Sequence, residues 1–469
     1  MQPSAPDVVV IGAGISGMIA AVRAAQGGKR VSVLEKSTEQ AYVCNSRLTA
    51  GIWHCCQMDI LSDPKALEER ISAVTDGVAR KDLVQVVAAD GVRVVRWMQS
   101  VGIRFIRGPQ SYQSFMLSPP TITPQGRQWQ GRGGDVMLRT LEAGLTKLGG
   151  SVNRGYRVTG LSMRGDSVRG VTGERASGEA FELSASTVVI ADGGFQTNSR
   201  LTQAVISPLP DRVFQRNART GMGDGLQMAQ AAGAAASDLR GFYGHVLSKD
   251  AFSNEQLWPY YWLDFVLSAG IVVNGAGRRF ADEGLGGVHL ANEIAAQADP
   301  LSTVVIADQK IWDEEGRFNI LPPNPRLKEV GGTLHVADSL EALAGKSGLD
   351  ATTLSTEINS YNRAVTSGST ASLAPSRSVH KFAARPIVRA PFYAVPVCAG
   401  MTYTMGGISI DADARVLRPD GQPIQGLYAV GCATGGLEGG KKHGYVGGLV
   451  KSSVTGLRAA EHIIRGHAA

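Results

Sequence analysis

The chain has 469 residues, of which 43% are hydrophobic and 19% charged, with a net charge of +6 and an isoelectric point near 9.0. This is the balance of a globular protein with room for more than one core, and the 58 glycines show no collagen-like period. The basic residues are scattered, which argues against nucleic acid and for an anionic cofactor or substrate. The five cysteines, Cys44, Cys55, Cys56, Cys398 and Cys432, contain no CxxC pair and no CxxCH, so neither a disulfide framework nor attached c-type haem is expected.

The first expected strand begins after six residues, and no apolar run approaches the length of a membrane span; the expected location is cytoplasmic. Val8 to Ile11 reads as a buried parallel strand, followed by Gly12-Ala13-Gly14-Ile15-Ser16-Gly17, an Ala-rich helix, and a second apolar run, Val31 to Leu34, closed by Glu35. The spacing is that of a dinucleotide site. Gly12 permits a tight turn, Gly14 lets the backbone approach a pyrophosphate, and Gly17 lets helix and strand pack closely. The helix N-terminus offers unpaired N–H groups to phosphate, and Glu35 can bind ribose hydroxyls.

Residues 44 to 51 are small and polar and fit a loop that wraps a flat ligand; Trp53, His54, Cys55 and Cys56 follow without a metal-ligand spacing. Residues 80 to 100 carry an amphipathic helical period, 108 to 134 read as loop, and Val136 to Leu148 as another helix. Val152 to Val158 and Val168 to Leu183 alternate as strands. Two further strand–glycine junctions follow: Thr187 to Ile190 with Ala191-Asp192-Gly193-Gly194, and Gly426 to Gly431 with Thr434-Gly435-Gly436. Ligands of open α/β sheets bind at such edges. Junctions separated by about 400 residues predict that the two ends of the chain build one domain, 1–237 with 390–469. An inserted cap, 238–389, lies between them. The cap holds an aromatic patch, Trp258, Tyr260, Tyr261, Trp262 and Phe265, helices at 339–343 and 351–365, and a linking or mobile stretch at 366–380. Val454 to Ile464 is expected as the closing helix.

Several stretches together resemble the FAD-containing succinate dehydrogenase/fumarate reductase flavoprotein family: the opening fingerprint, Gly221 to Gly225 (GMGDG), Gly277 to Glu283 (GRRFADE), Met405-Gly406-Gly407, and GLYAVG followed by TGG. Thr402 to Gly407 and Gly444 to Gly448 look most like soluble members such as tricarballylate dehydrogenase and the 3-ketosteroid dehydrogenases. The resemblance implies an α/β fold, a Rossmann-like FAD-binding domain with an inserted α+β substrate cap. It also implies chemistry that introduces or reduces a carbon–carbon double bond next to a carbonyl or carboxylate. The dicarboxylate enzymes of that family carry a histidine in a pattern like HHTMGG and an arginine two residues before the later GG pair. Tyr403 and Tyr445 stand in those regions here, which puts fumarate or succinate in doubt. Cys44 or a neighbour replaces the histidine that holds FAD covalently, so the expected FAD is non-covalent. The cofactor-binding candidates are Gly12, Gly14, Ile15, Ser16, Gly17, Glu35, Lys36, Asn45, Ser46, Arg47, Thr49, Ala50, Gly51, Val158, Ala191, Asp192, Gly193, Gly194, Asp224, Gly431, Gly448, Leu449 and Val450.

Hydride exchange at a β-carbon requires an acid or base for the α-proton and donors for the carbonyl oxygen. Tyr445 and Tyr403 are the candidates, with Lys441, Lys442 and His443 expected to lower the tyrosine pKa or to contact substrate. Arg279 with Glu283 resembles the family's proton-delivery region, and His54 and His245 are pocket candidates. An FAD-dependent amine or amino-acid oxidase and a partner-dependent electron-transfer flavoprotein are the alternatives. No second dinucleotide fingerprint identifies the electron donor or acceptor.

Overall fold

The computed structural model describes residues 5–121, 128–257, 262–317 and 326–466. Its first sheet has nine strands. Val8–Ile11 pairs in parallel with Thr187–Ile190 on one side and Val31–Glu35 on the other; Pro423–Ala429 continues the sheet beyond Thr187–Ile190, and Ser151–Arg154 beyond Val31–Glu35. All four residues of Val8–Ile11 and of Thr187–Ile190 are buried, which is why both segments read as continuous apolar runs rather than alternating ones. The expected strand over 168–183 is a hairpin of Ser167–Arg175 and Ala180–Ser184, turned at Gly178 where φ is +84°.

Helix Ile15–Gln26 and helix Gly448–Arg465 pack on each other over this sheet. Glycine sets their spacing: a Cβ on Gly456 would stand 2.5 Å from the Ser16 carbonyl, and one on Gly27 would stand 2.3 Å from Ile464. The closing helix starts six residues before the expected Val454, because the chain enters it directly from Gly447, at φ +150°. Helix Gly133–Lys147 likewise starts earlier than expected. A Cβ on Gly134 would stand 2.3 Å from the Ser46 carbonyl, so this helix begins by pressing on the 45–48 segment. The amphipathic period over 80–100 becomes helix Lys81–Ser100, with Leu83, Val87, Val94, Val95 and Met98 buried.

The second sheet has six strands built on the 13-residue strand Phe392–Thr404. Phe242–Ser248, Val304–Asp308 and His335–Ala337 pair with it antiparallel, and Phe214–Gln215 in parallel. Two of these strands, Phe214–Gln215 and Phe392–Thr404, lie outside the 238–389 limits expected for the cap. The apolar residues form two buried clusters, one around the first sheet and one around the second.

The stretch 366–380 is not a slack linker. Arg377 is 1% exposed and donates to the carbonyls of Ser268 at 2.7 Å and Phe382 at 3.1 Å, so the segment is tied into the second core. Within 108–134, expected as loop, Met116–Leu117 pairs with Phe105–Ile106. Trp258, Tyr260 and Tyr261 of the aromatic patch lie outside the described residues. Among the described residues no helix is long and apolar enough to cross a membrane.

Candidate active site

A cleft opens at the C-terminal edge of the first sheet. Gly12, at φ +98°, makes the tight turn, and a Cβ there would stand 2.7 Å from the Ala191 carbonyl. Gly14 caps helix Ile15–Gln26 without a side chain, leaving the helix end open to phosphate. Gly17 is away from the ligand surface and sets the packing: its Cβ would lie 2.2 Å from the Gly12 carbonyl. Glu35 sits at the end of its strand, where its carboxylate accepts from Ala13 N at 3.2 Å and Ser37 N at 2.9 Å.

Ile15, Ser16, Lys36, Asn45, Ser46, Val158, Ala191, Asp192, Gly193, Gly194 and Asp224 also line the cleft. Ser46 Oγ accepts from Ile15 N at 2.9 Å, and Asn45 donates to the Thr402 carbonyl at 3.0 Å, joining the cleft wall to the second sheet. Asp192 accepts from Gly225 N at 2.7 Å through one oxygen; its other oxygen is buried with no partner, and burial pushes its carboxyl up to about 6.

The remaining cofactor candidates stand elsewhere. Arg47 is buried against Asp135 and stacks 4.6 Å over the Tyr42 ring. Tyr42 in turn donates to the Ala13 carbonyl at 2.6 Å, so Arg47 braces the glycine turn from behind. Thr49, Ala50 and Gly51 continue past the cleft to Leu117, whose N–H donates to the Gly51 carbonyl at 2.8 Å. Gly431, at φ +68°, fits between the first and last helices, its Cβ position 2.5 Å from Ser16 Oγ. Gly448, Leu449 and Val450 form the first turn of the closing helix.

A second constellation is aromatic. Tyr445 stacks on Tyr243 with centroids 3.8 Å apart and planes at 13°. The two stacked phenols bear on each other's ionisation, Tyr243 helping to hold the Tyr445 pKa up. The Tyr243 hydroxyl lies 3.0 Å from His245 Nε2, and His245 Nδ1 lies 2.5 Å from Asp264 Oδ2. His245 also stacks on Trp262 at 3.7 Å, and Gly448 N–H donates to the Tyr445 hydroxyl at 3.4 Å. Burial lowers the His245 pKa, so the ring is neutral and the hydroxyl–imidazole–carboxylate chain can run in one direction.

Tyr243 and His245 share one face of strand Phe242–Ser248, which is interrupted by a register shift between Tyr243 and Gly244 opposite Tyr403 and Met401. Such bulges re-aim side chains beside active sites. Tyr243 and Asp264 were not among the sequence candidates; the signal was the i, i+2 pair Tyr243/His245 in a run read only for its histidine.

His54 joins this cluster edge-on to Tyr445 and to Tyr112, each at 5.6 Å, and burial lowers its pKa to about 4. Tyr403 lies 5.4 Å from Tyr243 but donates its hydroxyl to Glu438 at 2.9 Å, and Glu438 is held by Lys451 at 3.2 Å. Its phenol is committed to that carboxylate.

The expected positive neighbours do not act on Tyr445. Lys441 and Lys442 are exposed, and Lys442 pairs with Asp76 at 2.7 Å. His443 is pushed down to about 4 by burial and turns to His289. Burial, with Tyr243 and Glu438 nearby, instead holds the Tyr445 pKa well above its ordinary value, so it keeps its proton.

Arg279 and Glu283 form a two-point ion pair, at 2.9 and 2.5 Å, with both side chains fully buried. Their other partners are in the interior of the second core: the Pro375 and Ala281 carbonyls, Val272 N and the face of Tyr361. None of these contacts reaches the tyrosine cluster.

A family model described as an FAD binding domain matches residues 7–446. The NADH:fumarate oxidoreductase of Klebsiella pneumoniae is 26% identical over 460 residues, covering 94% of this chain and 46% of that protein. The fumarate reductase (cytochrome) of Shewanella frigidimarina is 26% identical over 473 residues, covering 97% of this chain and 76% of that one. The chain thus spans about half of the first relative's length. Among solved structures, the 3-ketosteroid delta1-dehydrogenase from Sterolibacterium denitrificans superposes with a TM-score of 0.73 at 22% identity, covering 99% and 100% of the two chains.

Proposed function

The chain belongs to the FAD-binding-domain family that includes the succinate dehydrogenase/fumarate reductase flavoproteins, and from that premise we propose that it interconverts a C–C single and double bond α,β to a carbonyl. The substrate proposed is a small carbonyl compound, lying between an FAD-binding domain (1–237 with 390–469) and the cap 238–389. The observation that carries this reading is the Tyr445–Tyr243–His245–Asp264 cluster, which brings two phenols, an imidazole and a carboxylate together beside the buried Arg216.

FAD, when bound, supplies the acceptor or donor of the β-hydride. Glu35, Lys36, Asn45, Ser46, Asp192 and Asp224 would hold it around the open helix end. The attachment proposed is non-covalent: burial pushes the Cys44 thiol at the cleft wall up to about 11, far from thiolate formation at neutral pH. The five cysteines are all free, which suits a reducing compartment such as the cytoplasm.

In the dehydrogenating direction Tyr445 takes the α-proton while passing its own proton to Tyr243. Tyr243 passes one to His245 Nε2, and His245 Nδ1 gives one to the Asp264 carboxylate. Reduction runs the same transfers backwards. With its pKa raised, Tyr445 is a poor base alone and a competent acid, so removal of a substrate proton depends on the His245–Asp264 end of the chain. Gly448 N–H, 3.4 Å from the Tyr445 hydroxyl, is positioned as a donor to the enolate oxygen.

Flavin absorbance followed anaerobically tests this reading. Saturated cyclic ketones are expected to bleach the oxidised protein, or enones to reoxidise the reduced one, with succinate and fumarate inert. Bleaching by a primary amine with release of ammonia, or by succinate, would overturn it.

A further inference from the structure

Helix Gly287–Ala295 of the cap presents His289 and Glu293, four residues apart and therefore on one face, toward the tight turn Gly439–Gly444. From that turn His443 points back. One ligand atom from each of the three side chains lies within 4.8 Å of the others, and the Nδ1 atoms of His289 and His443 are 3.4 Å apart. We infer that His289, Glu293 and His443 form a binding site for a divalent transition-metal ion of the zinc type, clasping the cap helix to the turn that carries Tyr445.

The distances suit the ion. Metal–nitrogen bonds of about 2.0–2.1 Å in tetrahedral geometry put two ligating nitrogens about 3.4 Å apart. Two imidazoles and a carboxylate are a common zinc donor set, with the fourth position left to water.

A hydrogen bond between the imidazoles would occupy the two nitrogens but leaves the carboxylate unexplained. No hydrogen bond from a described residue reaches the Glu293 carboxylate, which is partly buried.

The backbone is shaped to this approach. His443 adopts φ +51°, an uncommon conformation for a residue with a side chain. Gly241, at φ +87°, leaves the space the ring enters, for a Cβ there would stand 3.0 Å from His443 Cδ2. Asn292, between the two helix ligands, is bonded to both Phe242 N at 2.9 Å and the Phe242 carbonyl at 2.8 Å, fixing the helix beside strand Phe242–Ser248.

The test uses FAD-loaded full-length protein, stripped with a chelator and equilibrated with Zn²⁺ or Co²⁺. Metal per chain is read by elemental analysis, and Co²⁺ geometry by its visible bands. Wild type is expected to bind one equivalent, with Co²⁺ bands of tetrahedral intensity, and Zn²⁺ is expected to raise its thermal midpoint. His289→Ala, Glu293→Gln and His443→Ala should each weaken binding by about tenfold or more and lose the thermal response, while the exposed-histidine control His380→Ala binds as wild type. Retained flavin in each variant certifies its fold. Failure of the wild type to bind, or equal binding by the three variants, overturns the inference.

Discussion

At the scale of single residues, two tyrosines have opposite assignments. Tyr445 faces a relay and Tyr403 faces a carboxylate. Tyr445→Phe is expected to lower kcat by about 10²–10⁴-fold, the usual worth of a positioned proton donor, with FAD content unchanged. Tyr403→Phe should lower kcat far less and instead cost about 1–3 kcal/mol of stability, by leaving Glu438 short of a donor. Comparable kinetic losses in the two variants would remove Tyr445 from its assigned role.

His54 gives a stability prediction at the same scale. Its pKa is lowered to about 4, and its Nδ1 accepts from Gln57 N at 3.2 Å, which requires the neutral ring. The unfolded chain therefore binds a proton more readily than the folded one below about pH 6.5. Stability contributed by the neutral ring is present above that pH and is lost as the pH falls toward 4, by up to about 3 kcal/mol. Denaturant unfolding between pH 7 and pH 4 should show a steeper fall in wild type than in His54→Gln.

At the scale of elements, the glycine-rich turn between Val8–Ile11 and helix Ile15–Gln26 is the most sensitive part of the cofactor cleft. Gly17→Val would force a side chain into the Gly12 carbonyl and separate helix from strand. The expected product has little or no bound flavin, read as the FAD-to-protein absorbance ratio; a variant with full flavin would contradict the packing described.

These elements were also the legible ones. Buried parallel strands leave continuous apolar runs, and a dinucleotide turn leaves fixed glycine spacing. Val8–Ile11, Thr187–Ile190 and the Gly12–Gly17 turn were therefore readable from the chain, as were the FAD-binding class and the α/β architecture with its flavoprotein relatives. Asp264 was not, because it meets His245 from a helix start 19 residues away that leaves no local spacing, and Tyr243 was passed over although it stands two residues from His245 on one strand. The burial of Arg377 was hidden for a similar reason: a Ser- and Thr-rich stretch reads as linker unless its one arginine is known to have an interior to enter. The positive charges after Gly440 misled because adjacency in sequence is not adjacency in space; Lys442 turns to Asp76.

At the scale of the whole molecule, the second core rests on charges sealed inside it. Arg279, Glu283 and Arg377 are all buried, with Arg377 Nε 4.0 Å from Glu283. Glu283→Gln would leave two buried guanidinium groups short of their counter-charge and is expected to cost about 3–5 kcal/mol. The readout is a lowered thermal midpoint with kcat per bound flavin retained. A retained midpoint with lost turnover would return the pair to the proton-delivery role.

The contact between helix Ile15–Gln26 and helix Gly448–Arg465 has a consequence for biosynthesis. Ser16 and its packing partner Gly456 are separated by 440 residues, so Gly456 is made well after Ser16. At roughly 5–20 residues per second the interval is about 20–90 s. Through that time the apolar strands Val8–Ile11 and Thr187–Ile190 lack the strand Pro423–Ala429 and the helix that complete their cover. Until that helix emerges the nascent chain exposes apolar strand surface, and a ribosome stalled before residue 450 would hold a chain whose FAD-binding core is incomplete.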